Sequence, residues 1–267
     1  MASSAIRQNR GAACVVGGVI VVATALMLPS AGAHAAGDEI QVYLDDLTKP
    51  GRFGADLHNN FVVRGNRTPE YPGALPAHHT YRFTPEFYYG LTPTMELGLY
   101  LLTTAAPGEG AHYEGEKLRF KYIAPHDETV GSFWGVNLEI GNTRRRVSEV
   151  PWNAQLKGIY GFRSGPWTVG FNANFDWSLR GSPNSPVGLE ADTKIAYQVR
   201  EGLDVGLESY NELGPVRHLG RLNTLGQTLY AVVDTQIRKV DLNAGIGRGL
   251  TPGSDRWLLK FIVGLQY

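Results

Sequence analysis

Cysteine is nearly absent: the 267-residue chain has one, Cys14, within its apolar N-terminal stretch. A chain whose body holds no cysteine is neither a disulfide scaffold nor a thiolate metal site. An excess of one charge is missing too, with 25 basic against 25 acidic side chains, so the basic domain that a nucleic-acid partner requires is not there. Beyond residue 28 no hydrophobic run approaches the ~20 residues of a transmembrane helix. A mean hydropathy of -0.19 still admits a membrane protein, provided its apolar residues are dispersed by alternation.

Residues 1–35 read as a secretory signal peptide. Arg7 and Arg10 supply the positive start, Ala12–Leu28 the apolar core and Ala33-His34-Ala35 a small-x-small cleavage site. Cys14 sits early in that core and leaves with it, away from any lipoprotein attachment point. Residues 36–50 are expected to form a periplasmic N-terminal segment, with folding into the lumen as a plug left open; Ile40, Val42 and Leu44 alternate there, too briefly to separate a strand from a helical turn. Residues 51–267 form the remaining unit.

The stretch WTVGFNANFDWSL, Trp167–Leu179, is the most informative in that unit. Its odd positions are all apolar and its even positions polar or glycine, a period of two held for thirteen residues. Strands of soluble sheets average about five or six residues, whereas tilted bilayer-spanning strands need about nine to eleven. Trp167 and Trp177 mark the two ends of the apolar face, where interfacial aromatics belong. In lipid a strand must have both edges paired, which requires a closed barrel.

Twelve such strands can be marked: 52–63, 79–89, 94–103, 116–123, 132–140, 152–162, 167–179, 188–199, 203–213, 227–237, 240–248 and 256–267. Their connections alternate in character. Leu91-Thr92-Pro93, Arg163-Ser164-Gly165-Pro166, Arg200-Glu201-Gly202 and Arg238-Lys239 are short, with Ala124 to Gly131 the longest of that set; those near 65–78, 105–115, 141–151, 180–187, 214–226 and 249–255 are longer and polar. The fold class is therefore all-β, a closed antiparallel transmembrane β-barrel of about 12 strands with short periplasmic turns and longer external loops. Trp and Phe on the outer face of most strands argue against a soluble sandwich or lipocalin-like barrel. The last strand places Phe261, Val263, Leu265 and Tyr267 on one face, resembling the C-terminal signal read by the barrel assembly machinery. Two departures are expected to matter locally: Pro85 inside the second strand, and Asn59 on the apolar side of the first.

The stretches EIQVYLDDLTKPGRFGADLHNNFV (Glu39–Val62) and YGLTPTMELGLYL (Tyr89–Leu101) resemble a Gram-negative outer-membrane barrel family named for the meta-pathway of phenol degradation. The resemblance covers the mature chain in layout and only these two stretches in wording. It implies a barrel of about twelve strands that passes small molecules across the outer membrane, aromatic or apolar compounds among them. It brings no catalytic residues with it.

If the apolar face meets lipid, the other face lines the lumen. Acids assigned to it include Glu86, Glu96, Glu139, Asp176, Glu190, Asp192, Asp204, Glu208 and Asp234; bases include Arg82, Lys117, Arg119, Lys121, Lys157, Lys194 and Lys260. Lys117, Arg119 and Lys121 form a basic ladder, and strands seven to nine supply mostly acids. That asymmetry suits either a transverse field favouring polar or zwitterionic solutes, or salt bridges that hold the barrel shut. Eight strands enclose a filled interior and sixteen an aqueous channel, so twelve imply a narrow lumen.

Sharper sites fail inspection. There is no G-x-S-x-G, no phosphate loop ending in Gly-Lys-Ser/Thr, and no His followed two residues on by Ser. No catalytic, cofactor-binding or metal residue is assigned, and no cofactor is expected. His78, His79, His112 and His218 fall in expected external loops and would bind a metal only if they converged; scattered surface imidazoles are commoner. Arg144-Arg145-Arg146 either pairs with lipopolysaccharide phosphates or is a solvated loop charge, the more frequent case. The expected role is a passive outer-membrane channel for small solutes and not an enzyme. The alternatives are a closed structural or adhesive barrel acting through its external loops and, third, a barrel hydrolase. The expected partners are outer-membrane lipid, lipopolysaccharide, the assembly machinery and a small-molecule solute, with no nucleic acid.

Overall fold

The computed structural model describes residues 39–180 and 186–266. The expected signal peptide, the middle of the connection after Arg180, and Tyr267 of the expected assembly signal lie outside the described residues. Twelve strands and no helix are found among them: β1 (Phe53–Arg64), β2 (Tyr81–Thr92), β3 (Met95–Ala106), β4 (Gly110–Ile123), β5 (Gly131–Thr143), β6 (Trp152–Ser164), β7 (Trp167–Arg180), β8 (Gly188–Arg200), β9 (Leu203–Pro215), β10 (Gln227–Ile237), β11 (Val240–Gly249) and β12 (Trp257–Gln266). Each pairs antiparallel with its sequence neighbours, and β1 closes onto β12, so no edge is left unpaired. Strands of 10 to 14 residues are long enough to cross a bilayer at a tilt.

The alternation decides which face meets what. Outward positions carry exposed Leu97, Leu118, Trp134, Phe171, Leu207, Ile246 and Phe261. Phe53, Trp134, Trp167 and Tyr197 form an aromatic belt at the short-turn end, and Tyr81, Trp152 and Trp257 another at the long-loop end. Phe261, Val263 and Leu265 share the outward face of β12, whose register with β1 runs opposite Asn59, Leu57 and Ala55.

Three local features have identifiable causes. The ladder between β2 and β3 holds one register from Tyr81 to Gly90 but lacks rungs at Thr84 and Pro85, where proline has no N–H to give. Outward Asn59 is satisfied: its amide donates to the carbonyls of Leu57 (2.8 Å) and Phe261 (3.1 Å), and it accepts from the Tyr81 hydroxyl. The third feature corrects the expectation of a long polar loop at 105–115. Strand β3 runs to Ala106 and β4 starts at Gly110, leaving a tight hairpin. A bulge at Gly115 (φ +139°) breaks the alternation and hides that half of β4 from a period-two reading. A Cβ at Gly115 would lie 2.2 Å from the Asn142 carbonyl oxygen, so only glycine fits.

Candidate functional site

The site is the barrel interior, and its organising element is Glu39–Pro50. This stretch, expected as a periplasmic segment, instead runs inside the barrel, where Ile40, Val42, Tyr43, Asp45 and Thr48 are buried. The reason is a run of specific partners on the inward faces of the strands. At the short-turn rim Pro50 bridges Gly90, and Gly51 N–H donates to the Gly90 carbonyl at 2.8 Å. A Cβ on Gly90 would stand 2.3 Å from the Thr48 carbonyl oxygen, so the chain enters through a gap that glycine leaves open.

Halfway along, the Asn172 side chain treats Tyr43 as a neighbouring strand would. Its Oδ1 accepts from Tyr43 N–H at 2.7 Å and its Nδ2 donates to Tyr43 C=O at 2.9 Å. The Tyr43 hydroxyl meets that of Tyr100. Its ring lies 4.0 Å from Lys157 Nζ and 5.1 Å from Lys121 Nζ, both within cation–π reach. Thr48 N–H donates to Glu96 Oε2 (2.7 Å) and Lys121 to the Asp46 carbonyl (2.6 Å). Nearer the external loops, Lys260 Nζ donates to the Ile40 carbonyl at 3.2 Å.

Apolar packing completes the fit. Ile40 joins Val62, Ala77, Tyr230, Val232 and Leu258, while Tyr43, Leu44 and Leu47 pack with Ile123, Phe133 and Ile159. Inward apolar residues in a transmembrane barrel need a cover, and the segment is that cover. At the short-turn rim Asp45 is held by Arg163 Nη2 at 2.6 Å and by His126 Nε2 at 2.7 Å; the second Arg163 nitrogen engages it as well. His126 Nδ1 lies 2.8 Å from the Ala124 carbonyl, so both ring nitrogens face acceptors.

The sixteen residues assigned to the lumen all occupy inward positions, but they divide into two sectors. On one side Arg119 joins Glu86 (2.8 Å) and Glu96, Lys121 and Lys157 crowd Tyr43, and Lys117 lies 3.9 Å from Glu139. Arg82 is buried on this same side. On the other, Glu208 is gripped by Lys194 (3.1 Å) and Lys260, and Lys194 also reaches Asp234 (2.8 Å). Asn174 donates to Asp192 and Gln155 to Asp176. Asp176 is exposed and Glu190, Asp204 and Asp234 are half-buried, whereas Asp192 and Glu208 of the same sector are buried; four acids thus keep an access to solvent that every assigned base but Lys117 has lost.

Among the described residues one group could offer metal ligands: Glu39, His58 and Glu86 hold ligand atoms within 4.8 Å of one another. The Arg119 guanidinium beside Glu86 already supplies the positive charge that an ion would bring, so the cluster reads as an ionic network. His78, His79, His112 and His218 do not gather: His78 and His79 stack, and His112 is in β4 facing the Glu109 carbonyl. In the arginine run, Arg146 pairs with Glu109 and Glu114, which ties that loop to the β3–β4 hairpin.

No protein-family model and no curated protein matches this chain. Among solved structures, an outer-membrane channel from Pseudomonas putida F1 is similar over 86% of this chain and 100% of that one, with a TM-score of 0.56 at 14% identity. The NanC porin is similar over 80% of this chain and 98% of its own, with a TM-score of 0.51 at 10% identity. The fold is that of an outer-membrane β-barrel. Tyr43, Asp45 and His126 were not among the residues that sequence reasoning assigned to a site, whereas Asn172 belongs to the polar, lumen-facing side of its strand. The one signal that could have found them is the presence of Phe133, Ile123 and Ile159 at inward positions, which implies that something apolar covers them.

Proposed function

We propose that this barrel is a passive outer-membrane channel for small polar solutes, and not an enzyme, with conduction along its acidic wall. One observation carries the reading. The segment Glu39–Pro50 covers the basic sector through Lys121 and Lys157, reaches across to Lys260 of the other sector, and leaves Asp176, Asp204 and Asp234 in reach of solvent. An acid-lined path in a narrow pore raises the local concentration of cations and of zwitterions presenting an amine. The resemblance to the meta-pathway family extends the candidate solutes to small aromatic and apolar compounds, and the porins of similar fold support an outer-membrane location. A barrel closed at rest is the second reading, favoured by the depth to which the same segment fills the interior.

Planar-bilayer recording of the refolded mature chain tests both. The channel reading expects small steps with a cation-selective reversal potential, and loss of that selectivity in D176N/D204N/D234N. Silence in the wild type, with conductance in a chain lacking residues 36–47, would establish the closed barrel. Silence in both would remove the channel reading.

A further inference from the structure

The register between β1 and β12 slips once, between Val62 and Arg64. Up to Val62 the even residues of β1 face the lumen. The slip pairs Arg64 with Trp257, whose side of β12 also carries outward Leu259 and Phe261. A bulge of this kind re-aims a side chain. It turns the Arg64 guanidinium from the interior to the outer wall of the barrel. On the other side of Trp257 its β11 partner is Arg248, whose guanidinium carbon lies 4.7 Å from the Trp257 ring centroid. Two outward arginines therefore flank one tryptophan at the long-loop rim.

Above this row lies a hollow of about 730 Å³ lined by Val63, Arg64, Arg67, His78, His79 and Trp257. His79 adopts a left-handed backbone (φ +61°), held by its N–H bond to the Val62 carbonyl at 2.9 Å, and stacks on His78 at 3.9 Å. That conformation is uncommon for a residue other than glycine and here brings two imidazoles to the edge of the arginine row. Among the described residues Arg64, Arg67 and Arg248 make no ion pair. Desolvation, and then the charges of His79, Arg67 and Arg64, hold His78 below its usual titration range, with Asp255 acting against them. Arg64 and Arg67 line the hollow and Arg248 flanks its Trp257, against the buried Asp255 carboxylate at its edge, which accepts from Asn66 N–H at 3.1 Å.

We infer that Arg64, Arg67 and Arg248, arranged around Trp257, form a binding site for a phosphate-bearing lipid of the outer leaflet. Guanidinium groups accept phosphate oxygens in a two-pronged fork, and tryptophan anchors at headgroup level. Val63, Leu259 and Phe261 continue down the wall as the surface against which acyl chains lie. A soluble anion would need no apolar wall beneath it. An ordinary protein partner would have to displace lipid from a face that carries Phe261 and Leu259.

The test uses the mature chain in detergent, titrated with bisphosphorylated lipid A, with the same lipid dephosphorylated, and with inorganic phosphate. Binding is followed by native mass spectrometry, and heat-modifiable migration in gels reports an intact barrel. The expected result is saturable binding of the phosphorylated lipid, weakened about tenfold or more in R64Q/R248Q by loss of charge-assisted bonds. R144Q/R145Q, elsewhere on the same rim, should bind as wild type. Unchanged affinity in R64Q/R248Q, or equal binding of the dephosphorylated lipid, would overturn the site. Inorganic phosphate binding as tightly as the lipid would reassign it to a soluble anion and overturn the lipid assignment.

Discussion

Arg163, near the end of β6, reaches Asp45 118 residues earlier in the chain and holds its carboxylate with both terminal guanidinium nitrogens, while His126 takes the same carboxylate from the periplasmic connection after β4. This triad pins the lumenal segment where it enters the barrel. Asp45→Asn removes the charge that both cations share, and a neutral amide cannot accept two forks. The segment should be released more often, seen as higher conductance or faster hydrogen exchange at residues 39–48. Wild-type exchange in that variant would mean that the triad anchors nothing.

The triad also sets a pH window. Burial pushes Asp45 up, but hydrogen bonds from Arg163 and His126 outweigh it and hold the carboxyl below 3.8. Burial pushes His126 down, but the Ala124 carbonyl and Asp45 outweigh it and raise the ring above 6.5. Stabilisation from a raised histidine is complete below its unfolded value and disappears as pH climbs through the folded one. Stabilisation from a depressed carboxylate is present above its unfolded value and disappears as pH falls through the folded one. Docking should be tightest between about pH 4 and 6.5, weaker at alkaline pH, and lost in strong acid. In His126→Asn the alkaline weakening should vanish and the acid limb remain, as read from conductance against pH.

Asn172 supplies a second anchor of a different kind. Its amide closes two hydrogen bonds with the Tyr43 backbone in a dry part of the barrel. Asn172→Ala leaves a buried N–H and a buried C=O without partners, at about 1–3 kcal/mol for each unsatisfied group. Asn172→Asp keeps the acceptor for Tyr43 N–H but sets its second carboxylate oxygen against the Tyr43 carbonyl and buries a charge, so it should cost at least as much as alanine at neutral pH. Exchange protection of Tyr43 and its neighbours should be highest in wild type and fall in both variants; wild-type protection in either would locate the anchoring elsewhere.

Much of the barrel was legible because lipid imposes a simple rule. Trp167–Leu179 repeats with period two for the full thickness of a bilayer, and strand β7 occupies it with one further residue. Periodicity leaves undecided where two chain segments meet inside, including whether residues 37–50 enter the lumen. The Gly115 bulge reverses the alternation, so the first half of β4 looks like loop. The docking of Glu39–Pro50 depends on backbone N–H groups accepted by Asn172 and Glu96 and a backbone carbonyl that Lys121 donates to, from three different strands, and no periodicity records such a meeting. Inward Phe133, Ile159, Val232 and Leu258 carried the trace, as apolar residues in a place that polar ones should fill.

Gly90 offers a test of the entry gap that spares the anchors. Its Cβ position lies 2.3 Å from the Thr48 carbonyl oxygen and 2.4 Å from that of Lys49, both main-chain atoms that cannot rotate away. Alanine is otherwise acceptable at a strand end. Gly90→Ala should leave the barrel folded and heat-modifiable while exposing residues 39–50 to protease from the periplasmic side. Protection equal to wild type would show that the segment threads the rim by another route.

Glu208 carries the acidic sector's internal balance. It is 1% exposed and neutralises Lys260 and Lys194, with the Tyr210 hydroxyl donating a third contact at 2.7 Å. Glu208→Gln leaves Lys260 buried beside a neutral amide, while Lys194 keeps Asp234 at 2.8 Å. Removing one partner of a buried ion pair costs about 3–5 kcal/mol, because the remaining charge has lost its solvent and its counter-ion together. Replacing both partners, as in E208L/K260M, removes the stranded charge and should recover most of that loss, although Lys260 also gives up its bond to the Ile40 carbonyl. Urea unfolding midpoints in lipid vesicles should therefore rank wild type above or level with the double variant, and both well above Glu208→Gln. A single variant as stable as wild type would mean that water reaches Lys260, and that the sector is wetter than its packing against Tyr210 and Tyr230 implies.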